Sequence, residues 1–240
     1  MQALEQQYGN ALKHKKFAEL IQLQKEIVER HGNKGILYLL QQQLSGQICF
    51  LTAINDKTCP WFVHKDLPLE VFIDTIWAPV QNQLPLFLTL LKERCQHILV
   101  VKQDTEWQLV YFVELLLEDQ TPFFAFYNGA APLSDEAAKE RPNITAQYQQ
   151  HLGLFYQVHN GFGELNRESV LPLDELTKIK CEGVLYLRFF DFVSPARQCI
   201  KMEDLAQKNP ISYDYDRGNI RSYYPFWNFL DERLALMDEE

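Results

Sequence analysis

Six histidines and five cysteines are the side chains of this 240-residue sequence best suited to hold a metal or attack a carbonyl. Their spacing argues against either use. The histidines stand at positions 14, 31, 64, 97, 151 and 159. His151 and His159 fall on one predicted helix, where about 1.5 Å of rise per residue separates them by roughly 12 Å, too far to share an ion. Cys49, Cys59, Cys95, Cys181 and Cys199 are odd in number and contain no C-x-x-C. That pattern suits reduced, mostly buried thiols in a cytosolic protein rather than a disulfide framework. A nucleophilic thiol needs an activating base or a helix N-terminus. Lys178 and Lys180 lie just before Cys181, yet this thiol reads as structural.

Motifs that bind nucleotides or metals fail on context. Gly161-Phe162-Gly163 follows a predicted helix instead of a strand and lacks a third glycine. The segment 214–219, Asp-Tyr-Asp-Arg-Gly-Asn, resembles a calcium loop at first, but its glycine comes one place early and its twelfth position is Pro225 instead of glutamate. There is no G-x-x-x-x-G-K-[ST], G-x-S-x-G or H-E-x-x-H. Asn143-Ile144-Thr145 is a glycosylation sequon only in a secreted chain. Neither a cofactor nor a metal is expected, and the chain reads as a non-enzyme. The alternative is an enzyme whose cleft gathers scattered carboxylates, of which 32 acidic residues allow many pairings.

Charge narrows the partners. The formal net charge is −9, which disfavours binding through nucleic-acid phosphates. Eight acids stand against Lys139 alone between positions 104 and 140, whereas residues 1–35 carry six basic residues against four acids. An acidic surface steers a basic protein toward it. The longest near-apolar stretch, 109–117, contains Glu114 and is far short of the ~20 residues of a membrane helix. The first residues show no apolar signal region, and the expected location is the cytoplasm.

The elements that must position these groups follow from periodicity. Residues 1–31 read as helix, with a break expected at Gly9-Asn10 and an end at His31-Gly32-Asn33. A shorter helix is expected over 35–44, and helices over 69–77 and 84–94. Strands are expected at 47–54, 61–64, 97–102, 107–115 and 122–127. Asn128-Gly129-Ala130-Ala131-Pro132 marks a boundary, dividing an N-terminal accessory region, 1–132, from a second unit, 133–240. Beyond it, Ser134 caps a short predicted helix and Asn143 a longer one through His159. Strands follow at 169–171, 184–192, 198–202 and 211–215, with a short helix at 173–176 and a terminal helix at 224–237. Strands without regular β-α-β alternation predict an α+β fold, an antiparallel sheet flanked by helices, with a helical and α/β N-terminal extension.

Several of these segments resemble, in order, the SUKH superfamily of yeast cell-wall assembly regulators and bacterial immunity proteins. They are 155–163, Phe-Tyr-Gln-Val-His-Asn-Gly-Phe-Gly; 170–176, Val-Leu-Pro-Leu-Asp-Glu-Leu; 189–192, Phe-Phe-Asp-Phe; Cys199-Ile200; 211–216; and 226–230, Phe-Trp-Asn-Phe-Leu. The resemblance covers about residues 133–236 and leaves the first ~130 unmatched. It implies a protein-binding module, here an immunity protein that neutralises a polymorphic or contact-dependent bacterial toxin. A regulatory scaffold of the same family is the alternative. The motif residues themselves read as anchors of the fold: Asn160-Gly161 for a positive φ, and Phe226, Phe229 and Leu230 for the core. The expected partner surface is Asp191, Tyr213, Asp214, Tyr215 and Asp216, acids beside aromatics in turns or at strand ends. The sequence leaves the oligomeric state open.

Overall fold

The run 109–113, Leu-Val-Tyr-Phe-Val, has no polar alternation, and such a strand must be covered on both faces. The structure is a computed structural model that describes residues 2–117, 119–132, 152–165, 168–192 and 196–235. In it β3 (Glu106–Leu116) lies antiparallel between β2 (Cys95–Gln103) and β4 (Pro122–Ala130). One face, with Leu99, Val101, Val110, Phe112 and Phe126, packs on α1 (Gln2–Lys13), α2 (Phe17–His31) and α3 (Asn33–Gln41). The other, with Ile98, Val100, Leu109, Tyr111 and Val113, is covered by α4 (Leu69–Trp77) and α5 (Pro85–Arg94).

This central trio grows into one antiparallel sheet of eleven strands. Before β2 lies β1 (Gln47–Phe50). After β4 come β5 (Phe162–Glu164), β6 (Ser169–Val170), β8 (Val184–Asp191), β9 (Arg197–Lys201), β10 (Ile211–Asp216) and β11 (Asn219–Pro225). β7 (Thr177–Cys181) also pairs with β8. The expected α+β architecture, an antiparallel sheet flanked by helices, is the one observed. At the boundary near residue 132 the sheet continues, with Tyr127 opposite Glu164 and Gly129 opposite Phe162. A single apolar cluster takes residues from both sides of it.

The terminal helix α7 (Phe226–Ala235) covers the second half of the sheet and buries Phe226, Trp227, Phe229, Leu230 and Leu234. A bulge in β8 between Arg188 and Phe190 makes this possible, because one extra residue turns two neighbouring side chains toward one face. Phe189 and Phe190 both pack on Phe229, with ring centroids 6.0 and 5.3 Å away. Of the helix expected through His159, the structure shows α6 (Gly153–Tyr156), with Phe155 and Tyr156 buried. Residues 144–151, the helix expected from Ser134 and the end of the terminal helix at 236–237 lie outside the described residues.

Four local expectations are corrected. The first helix breaks at residues 14–16, where Lys15 takes φ +52, and continues through Gly9 because that course buries Tyr8 and Ala11 together. Residues 61–64 are no strand. Trp61 is buried and the backbone closes on itself in a 3-10 turn, Phe62–His64, with the His64 N–H donating to the Trp61 carbonyl at 3.0 Å. Residues 173–176 form a turn in place of a helix. β7 and β11 were not expected; they are the first arm of one hairpin and the second arm of another, and the turn of each, Glu182-Gly183 or Arg217-Gly218, has positive φ at both residues.

Candidate functional site

The segment 153–163 winds tightly against the β4–β5 junction, and each of its motif residues is tied down. The Tyr156 hydroxyl donates to the Leu171 carbonyl at 2.9 Å. Asn160 Oδ1 accepts the Leu173 N–H at 2.8 Å. Gly161 has φ +85, and a Cβ there would stand 2.9 Å from the Pro172 nitrogen. His159 lies directly over Gly129, where a Cβ would meet its ring at 2.4 Å.

His159 anchors a closed chain of hydrogen bonds in the core. Trp77 Nε1–H is only a donor, so the Tyr111 hydroxyl oxygen accepts it, at 3.0 Å. The Tyr111 O–H then donates to His159 Nε2 at 3.1 Å, which leaves Nδ1–H to donate to the Ala130 carbonyl at 3.2 Å. All three side chains are fully buried. Burial pushes the His159 pKa down to about 3, against the Ala130 hydrogen bond, which raises it. Burial likewise lifts Tyr111 well above the ordinary phenol range. Every group in the chain is therefore neutral and partnered, a stabilising arrangement. Sequence reasoning missed Trp77 and Tyr111, whose types and positions carry no signal that they converge on His159.

The expected partner residues divide between the two faces of the sheet. Side chains alternate along a strand, so Tyr213 and Tyr215 share a face with Cys199 and Arg197, their partners on β9. Asp214 and Asp216 point to the opposite face, with Gln198 and Arg221. Asp191 joins the tyrosine face through its register with Arg197. It is bound by two arginines, accepting from Arg188 Nε at 2.6 Å and lying 3.2 Å from Arg197 Nε. Lys201 stands 5.2 Å from the Tyr213 ring, and Tyr186 meets that ring edge-on at 5.5 Å. The tyrosine face is thus a mixture of aromatic and basic groups around one neutralised acid. On the other face, Asp216 is exposed beside the turn. Asp214 is half-buried, with Oδ1 unpartnered; burial raises its pKa, the Asp216 charge adds to this, and Arg221 opposes it.

A cleft of about 510 Å³ opens between the start of α5 and α7, lined by Asn82, Gln83, Asn209, Trp227, Asn228 and Asp231 among others. Its polar side chains serve the helices. Asn209 caps α7, accepting the Trp227 N–H at 2.9 Å. Asp231 caps α5, accepting Leu86 N–H at 3.2 Å and Phe87 N–H at 2.9 Å. Replacing Asp231 with Ala should lower stability by about 1–2 kcal/mol, as losing a cap does. Urea unfolding measures it, and a change within error would show that α5 does not need this carboxylate.

The thiols agree with a structural role. Burial pushes Cys95 and Cys199 up to about 12, and Cys181 Sγ lies 3.3 Å from the Gly218 carbonyl. Among the described residues no three His, Cys, Asp or Glu side chains gather as metal ligands, and no helix is long and apolar enough to cross a membrane. Comparison with protein-family models, with curated proteins and with solved structures finds no match to this chain.

Proposed function

We propose that this protein is a non-enzymatic protein-binding module of the immunity type, which acts in the cytoplasm and neutralises a bacterial toxin by occluding it. The observation that carries the reading is the face of β8–β10 on which Tyr186, Arg188, Asp191, Arg197, Lys201, Tyr213 and Tyr215 stand together. Tyrosine and arginine are the residues on which binding energy concentrates, and a strand framework holds them rigidly. The order of the SUKH-like motifs supports the same reading.

The test is purification together with the product of the adjacent gene, followed by kinetics of the isolated pair. Tyr213→Ala and Tyr215→Ala should each weaken binding at least tenfold, about 1.4 kcal/mol or more, with unchanged thermal unfolding. Asp216→Asn should slow association at low salt and flatten its salt dependence, because the exposed carboxylate acts by steering. A protein that captures no such partner and turns over a small molecule would defeat the proposal.

A further inference from the structure

The sheet ends at β11, and among the described residues no strand pairs with its outer side. The register of the β10–β11 hairpin shows which backbone groups are unused. Its two-residue turn makes Asp216 and Asn219 a hydrogen-bonded pair, and alternation makes Asp214 and Arg221 the next. The N–H and C=O groups of Ile220 and Ser222 therefore point away from the sheet. Tyr223 and Tyr224 are 50% and 49% exposed beside them. An unpaired edge bearing exposed aromatics is a template for strand addition.

We infer that this edge pairs with a second copy of the same chain, β11 against β11, antiparallel about a two-fold axis at Ser222. The strand is self-complementary about that residue. Pairing there sets Arg221 opposite the Tyr223 of the other copy, and symmetry makes the contact twice. This is a cation–π pair, a favourable cross-strand combination. The register also keeps the two Arg221 side chains from facing each other. Pro225 and the bulge between Ile211 and Tyr213 stop the pairing at one end and the glycine turn stops it at the other, so the product is a closed dimer. Two seven-residue strands bury less than the ~1,200 Å² of a standard interface, so the dimer is weak and depends on concentration.

The inference stands apart from the toxin reading, since its test needs no partner. Sedimentation equilibrium from micromolar to millimolar concentrations should show the mass rising from 28.2 kDa toward twice that value. Arg221→Glu should weaken dimerisation at least tenfold while leaving thermal unfolding unchanged. Ser222→Cys places two thiols at the axis, where paired Cα atoms lie ~5.5 Å apart, a spacing that a disulfide spans. With a thiol oxidant it should form covalent dimer far faster than either the unmodified protein or Ile220→Cys. A monomer at every concentration would overturn the inference. So would crosslinking of Ser222→Cys no faster than the unmodified protein, or of Ile220→Cys as fast as Ser222→Cys.

Discussion

Replacing Trp77 with Ala is expected to lower folding stability by about 3–5 kcal/mol, the range for a fully buried large aromatic. The indole sits where both halves of the chain meet. Its ring packs against Phe87 at 5.3 Å and Phe155 at 6.2 Å, and against His159 at 5.3 Å and Phe162 at 5.0 Å. Truncation opens a cavity among rings that cannot collapse onto it, and removes the donor that orders the Tyr111 hydroxyl. Trp77→Phe should restore most of the loss by refilling the space, while still lacking the N–H. Urea unfolding of both variants measures the difference. An alanine variant within ~1 kcal/mol of the parent would show that the contacts across this junction add little.

The second large effect is acid sensitivity carried by His159. Its pKa lies at about 3 in the folded protein against an ordinary 6.5. Between those values the unfolded chain binds a proton that the folded chain does not, so stability falls with decreasing pH by about 1.4 kcal/mol per unit. The loss is absent above 6.5, grows through the window and levels off near the folded value. Unfolding by urea at steps within the window should show this slope, and His159→Gln should remove one proton's share of it. Equal slopes in parent and variant would mean that His159 is protonated without leaving its chain of hydrogen bonds.

The elements legible in the sequence were those whose burial imposes a clear period or an unbroken apolar run: α4, α5, α7 and β2 to β4. β7 and β11 were harder to read, because Thr177–Cys181 alternates with lysines and Asn219–Pro225 is largely polar. Their signal lay in the turns Glu182-Gly183 and Arg217-Gly218, where a residue before glycine allows two positive φ angles. The apolar cue failed at Trp61, where an aromatic residue enters the core from a turn. The partner surface was only partly legible. Tyr213 to Asp216 are adjacent in sequence, but the two-residue period of a strand sends acids and tyrosines to opposite faces. The arginines that bind Asp191 became visible only through the β8–β9 register. Trp77, Tyr111 and His159 are distant in sequence, and nothing short of the fold brings them together.

The sheet is close to a meander, with most strands paired to their neighbours in the chain. Such sequence-local pairings close quickly, so strands can add one by one as the polypeptide leaves the ribosome. α7 is the exception. Its Asp231 must return to Leu86 and Phe87, about 145 residues earlier. Until it docks, Phe189 and Phe190 lie uncovered on a growing sheet. The interval before this one helix docks is therefore the period in which the newborn protein is most prone to aggregate.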